Sequence, residues 1–327
     1  MKLYRRFHRN RMTPYQRLLR LVAQHRKSIY WIIGYAMLAG LISLGLPLGV
    51  QAIISLIQGG TQSAALTLLV AVIAIALAMV GALRIMQLFI TERLQRALFV
   101  GSAFEFALRL PALQLDKKHQ KYLPELVNYF FDTVTVQKSL PKIALDLSTA
   151  ALQIVFGMVL LSLYSSFFAF FVIVLLLFLW VVFRLTGAKG LETSIKESKY
   201  KYQTAFWLEE LARHVSIFKL FPAGKLPLKR TDYLTKNWLE ARRGHFRVLT
   251  TQFIAIVIFK VVITVALLLV GSYLVLQNKI NIGQFVAAEL VIIVVVEAAE
   301  KLILSIEVFY DLLTSLDKLG LLLDLEL

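Results

Sequence analysis

The chain has 327 residues, of which 58% are hydrophobic and only 17% charged, with a mean hydropathy of +0.72. This excludes an ordinary soluble domain and reads as a polytopic membrane protein. There is no cysteine, which excludes a disulfide framework, a thiolate zinc site and a cysteine nucleophile together. The formal charge of +16 becomes a question of where the basic residues lie relative to the spans.

The first segment holds Lys2, Arg5, Arg6, Arg9, Arg11, Arg17, Arg20, Arg26 and Lys27 with no acid among them. No cleavage pattern follows, so residues 1–27 read as a cytoplasmic basic leader. Within it Thr13-Pro14 opens a helix, with Thr as cap and Pro in the first turn. Leu18, Leu19, Leu21 and Val22 alternate with Arg17, Arg20 and Arg26. This suits a helix on the inner membrane surface, with a merely solvated leader as the alternative.

Span one runs from Ser28 to Ile57, and Gly45-Leu-Pro47-Leu-Gly49 should kink it. After a short uncharged turn, span two begins near Ser63, and its helical spacing continues to Pro111. At 1.5 Å per residue that helix is roughly 70 Å long, against a hydrocarbon core of about 30 Å. It therefore projects well beyond the membrane. Spans three (Leu145 to Tyr164) and four (Phe167 to Leu185) are separated only by Ser165-Ser166, and helical pattern then continues to Leu220. Span five covers Val248 to Leu276, and span six follows the turn Gln277–Asn281. Excursions near 91–142 and 186–247 separate these spans on one side. The second of them carries fourteen basic residues between Arg184 and Arg247, whereas the opposite turns carry only Lys279. That asymmetry predicts an inner-membrane, multi-pass protein with both termini cytoplasmic and accounts for the charge without nucleic acid.

Little in the chain suggests catalysis. His8, His25, His119, His214 and His245 lack metal-ligand spacing, and no G-x-x-x-x-G-K-[ST] loop occurs to cradle ATP phosphates. No resident metal or cofactor is expected.

Six spans with short outer turns and long helical excursions resemble the transmembrane domain of ATP-binding-cassette exporters over nearly the whole chain. Glu210-Leu-Ala-Arg-His-Val-Ser-Ile-Phe-Lys219 is similar to the family's Glu, nine positions, Lys segment. Gly271 with Ile280-Asn-Ile-Gly283-Gln284 resembles the turn into span six, with wording like that of type I secretion and peptide exporters. Leu313-Thr-Ser315-Leu-Asp-Lys318 through Leu323-Asp324 resembles the exit toward a nucleotide-binding domain, so residues 313–327 read as the start of a linker. His214, Lys318 and Tyr129 depart from the family's usual Gly, Arg and Arg.

The resemblance implies an all-α membrane fold of six long helices with two cytoplasmic extensions. It also implies that two copies pair as a homodimer around a translocation path. ATP and Mg would belong to an ATP-binding-cassette ATPase, fused or separate, and a periplasmic adaptor and a peptide or protein substrate are compatible with it. The extension tips would dock on the ATPase. The first tip is placed near Lys117 to Leu126, with Lys118, Tyr122 and Glu125. The second is placed near Tyr200 to Glu210, with Tyr202, Phe206, Trp207 and Glu210. The aromatics serve either as docking anchors or as packing between helices. The other function class open to the chain is a membrane scaffold or regulator that retains the fold without transport.

Ionisable residues inside spans are functional candidates because their burial costs on the order of 2.5–3.5 kcal/mol at a helix centre. Lys260 and Glu289 are placed at similar depth, to pair or to line the path with Glu300. Glu289, Glu300 and Glu307 fall on one stripe facing a partner subunit or the cavity. Glu297 and Lys301 are spaced as an i,i+4 pair.

Overall fold

The computed structural model describes residues 12–60, 64–112, 127–164, 166–220 and 225–323. Its elements are α1 (Pro14–Gln24), α2 (Arg26–Ser43), α3 (Gly45–Gln58), α4 (Ala64–Ala112), a single 3-10 turn (Tyr129–Phe131), α5 (Asp132–Tyr164), α6 (Ser166–Arg213), α7 (Val215–Leu220), α8 (Leu226–Leu276) and α9 (Ile282–Leu323). Among the described residues six helices, counting α2–α3 as one, are long and apolar enough to cross a membrane. The expected all-α, six-span architecture is therefore present.

Local chemistry accounts for the ends of these elements. Thr13 and Gln16 form a reciprocal cap: Thr13 Oγ1 accepts from Gln16 N at 3.3 Å, and Gln16 Oε1 accepts from Thr13 N at 2.9 Å. In span one, where the sequence predicts only a kink at Gly45-Leu-Pro47-Leu-Gly49, the helix divides at Leu44 into α2 and α3. α4 continues without interruption into its extension, because its first proline is Pro111, next to its last residue. α9 runs unbroken through the stretch read as a linker, to Leu323.

The helices α6 and α8 pack along each other over much of their length, with Phe178 and Phe259 stacked at 4.1 Å. The most extensive pairing is between α5 and α9. Gly157 on α5 permits this approach, since a methyl there would overlap Val295 Cγ2. One buried cluster joins the membrane halves of α5, α6, α8 and α9, including Leu161, Phe168, Leu175, Ile256 and Ile292. A second cluster joins α2, α4, α5 and the end of α9 through Ile32, Leu94, Leu140, Leu312 and Leu316. The apolar face of α1, through Leu18, Leu21 and Val22, packs against this second cluster. Tyr15 also faces Phe309, with ring centroids 6.4 Å apart. α1 is thus held against α2 and α9 by the residues that suggested a surface helix.

Overpacking a close helix contact typically costs about 1–3 kcal/mol. Gly157→Leu is expected to incur that cost and to lower the thermal unfolding midpoint in detergent micelles. Gly81→Leu, where nothing lies within 4 Å of an added Cβ, should leave the midpoint unchanged.

Candidate functional site

The start of α9 explains the motif Ile280-Asn-Ile-Gly283-Gln284. Asn281 Oδ1 accepts from Gln284 N at 2.7 Å, while Gln284 Oε1 accepts from Asn281 N at 2.9 Å. This is a second reciprocal cap, and it satisfies two backbone donors at once. Gly283 lets the first turn approach α3, because an added Cβ would lie 3.2 Å from Gln51 O. The motif therefore starts a helix and seats it against its neighbour.

Farther along, α9 carries charges that meet α8 and α5. Lys260 Nζ on α8 pairs with Glu300 at 3.1 Å, rather than with Glu289. The antiparallel register explains this correction. Lys260 and Glu300 lie nearly equal distances along the chain from the turn at Lys279, whereas Glu289 is much closer to that turn and so sits at a different depth. Glu289 is half-buried and makes no ion pair among the described residues.

The expected Glu297–Lys301 pair is also replaced. Lys301 reaches across to Asp146 on α5 at 2.9 Å, and Ser305 Oγ donates to the same carboxylate at 3.4 Å. Asp146 is buried and needs a cation, while Glu297 is exposed. Glu307 pairs with Arg242 on α8 at 3.7 Å, and Arg242 also meets Glu197 on α6 at 3.4 Å. Glu300 and Glu307 therefore share a stripe, but it faces α8 of the same chain.

Neutral, largely buried contacts also join these helices. Ser194 and Thr314 hydroxyls lie 3.0 Å apart, Thr193 Oγ1 lies 3.0 Å from His245 Nδ1, and Gln252 Nε2 donates to Thr186 Oγ1 at 2.6 Å. Each group loses water on burial and recovers a partner on a neighbouring helix. These hydroxyls and amides fall outside the motifs read from the sequence. Their only signal there is a polar residue recurring at helical spacing along an otherwise apolar face.

The second extension tip lies farther out than expected. α6 continues through 200–210 to Arg213, and α7 together with the start of α8 forms the turn. No Pro or Gly occurs between Gly190 and Pro222 to end the helix earlier. Tyr202 lies instead at the side of the extension, where its ring meets Tyr129 edge-on at 4.9 Å, beside Lys318 at 5.7 Å. Trp207 Nε1 donates to Thr231 Oγ1 on α8 at 3.1 Å, and its ring meets Phe218 edge-on at 6.4 Å. These two aromatics pack the extension together. Phe206 is half-buried on the same stretch, and Glu210 pairs with Arg213 and His214 at 3.5 and 3.6 Å. Lys118, Tyr122 and Glu125, and the first tip with them, lie outside the described residues. Glu209, which sequence reading passed over, accepts from Asn128 Nδ2 at 2.8 Å and ties the two extensions together.

The six apolar helices, the ion pairs that bridge them and the long paired extensions define a multi-pass helical membrane protein. The family model for the ABC transporter transmembrane region matches residues 29–298. The chain belongs to this family. A search of curated proteins finds no match.

The two ion pairs differ in burial, and that difference sets the expected order of stability. Lys301→Leu strands the buried Asp146 carboxylate and is expected to destabilise the protein by about 2–3 kcal/mol. Lys260→Leu should cost less. A double-mutant cycle on Lys260 and Glu300, read by unfolding in micelles, should give a coupling of about 0.5–2 kcal/mol.

Proposed function

We propose that the chain forms half of the translocation path of an ATP-driven exporter and receives the ATPase's motion through its extensions. The observation that carries this reading is the distal end of the α6–α8 pair. There Ile217, Leu220, Leu226 and Leu228 are exposed, Leu220 and Leu228 by 75% and 73%. From Leu226 to the expected membrane edge near Val248, α8 rises about 33 Å at 1.5 Å per residue. Lipid does not cover apolar residues at that distance, so a protein surface is their natural cover. Arg213, Lys219, Lys225, Lys229 and Arg230 surround them and suit an acidic rim on the partner.

Two copies pair in this reading, because six helices enclose only part of a path. ATP binding draws the ATPase domains together, on the same polypeptide or a separate one. Each extension then moves as a lever whose rigidity comes from Trp207–Thr231, Asn128–Glu209 and the α5–α9 seam. Closure of the tips becomes rotation of α8 and α9, and Lys260, Glu289 and Glu300 lie toward the path. The positive-inside bias supports an orientation with the extensions and both termini in the cytoplasm and the spans in the inner membrane. The substrate class is a peptide or protein, and a periplasmic adaptor is a compatible further partner.

The test is functional coupling. The protein is purified from its host in mild detergent together with any ATPase fused to it or bound to it, then reconstituted into vesicles. ATP-dependent efflux is expected. Leu220→Asp with Leu228→Asp should weaken docking by about 2 kcal/mol or more, abolishing efflux while leaving the amount and fold of the protein normal. A chain that retains no ATPase and moves nothing would instead be a scaffold of the same fold.

A further inference from the structure

Two cavities meet at Ser43, where α2 ends against α4. The larger, about 270 Å³, lies between α2–α3 and α4 and is lined by apolar side chains, among them Ile42, Leu46, Leu69, Ile73 and Val80. The smaller, about 20 Å³, has the polar side chains Arg84, Gln87, Thr149 and Gln153 around it together with Ala36, Ala39 and Gly40. On α4 the lining residues Ile73, Ala76, Val80, Arg84 and Gln87 recur at three- and four-residue intervals, so both cavities open on one face of that helix. Together they make a single seam with a charged end and an apolar end.

The depth of the charged end is well defined. α4 begins at Ala64, and Arg84 lies about 30 Å along it, which matches the thickness of the hydrocarbon core. Gln87 Nε2 donates to Ile32 O at 3.3 Å and fixes α2 at the same level. Nearby on α2, Tyr30 and Trp31 are exposed, and Trp31 stacks on Tyr35 at 5.7 Å, an aromatic belt suited to the headgroup boundary. Arg84 is exposed there and has no ion pair among the described residues. A guanidinium at the headgroup boundary lies within reach of a lipid phosphate.

We propose that this seam binds an anionic glycerophospholipid of the leaflet bordering the extensions. Its phosphate meets Arg84, and one acyl chain enters the apolar cavity toward the bilayer midplane. The seam's polarity follows a lipid's own: charge at the interface, with methylenes inward. A second copy of the chain would have to bring a carboxylate to Arg84 and an apolar ridge above it in register. A lipid carries both in one molecule and is already present at that depth.

The full chain in nonionic detergent is titrated with dioleoyl phosphatidylglycerol or dioleoyl phosphatidylcholine and read by native mass spectrometry. The anionic lipid is expected to show about fivefold higher occupancy, the effect of one basic side chain at the interface. Arg84→Gln should erase that preference, while Arg84→Lys and the remote Lys279→Gln keep it. Ala76→Trp, which fills the apolar arm, should lower occupancy by both lipids. The site is overturned if the preference survives Arg84→Gln or if Ala76→Trp leaves occupancy unchanged. It is also overturned if either variant acts only by changing the fraction of dimer in the same spectra, which would make the second copy the occupant.

Discussion

The close seam between α5 and α9 is the constraint on which the rest of the molecule depends. Near the membrane's centre it rests on absent volume, where Gly157 admits Val295. Farther in it rests on charge, where Lys301 meets the buried Asp146. At the end of the seam Ser315 Oγ donates to Asp132 at 3.5 Å. Three different attachments along two helices leave little freedom to slide, because each would be lost together with the others. The remaining faces of α9 then receive α8, α6, α3 and α1.

A helix pair held this way can transmit displacement. Long helices bend unless neighbours brace them, and the extensions of this protein are braced at intervals: Tyr202 on Tyr129, Trp207 on Thr231, Glu209 on Asn128. None of these contacts exposes a reactive group, and their common effect is stiffness. The ion pairs between α8 and α9 are of another kind. They are partly exposed and bridge two long helices. Stiffness in the extensions and polar contacts between the spans are what a lever acting on a path requires.

The motif into α9 illustrates how a family mark can be local chemistry. Asn281 and Gln284 exchange two hydrogen bonds around the first turn, and Gly283 brings that turn against Gln51. Those residue types follow from starting a long helix immediately after a tight turn and in contact with another helix. They carry no information about what passes through the membrane.

Much was legible in the chain alone: six spans, the irregularity of span one around Gly45-Leu-Pro47, the continuous run from near Ser63 to Pro111 and the segregation of basic residues. Each depends on periodicity, proline position or composition over many neighbouring residues, and helices in a bilayer satisfy their backbone internally, so such local signals decide them. Pairings across helices were a different matter. Lys260 chose Glu300 because the antiparallel register sets its depth against α9, and Lys301 chose Asp146 because the need of a buried carboxylate outweighed the i,i+4 spacing that favoured Glu297. The second tip moved from 200–210 to beyond Arg213, because α6 meets no Pro or Gly between Gly190 and that point. The seam at Arg84 required α2, α4 and α5 to be placed side by side before its charged and apolar ends could be recognised as one site. Sequence alone determined which segments are helices and which of them can cross a membrane, since those properties belong to single segments. Tertiary structure alone decided which charges meet, since that belongs to pairs of helices distant in the chain.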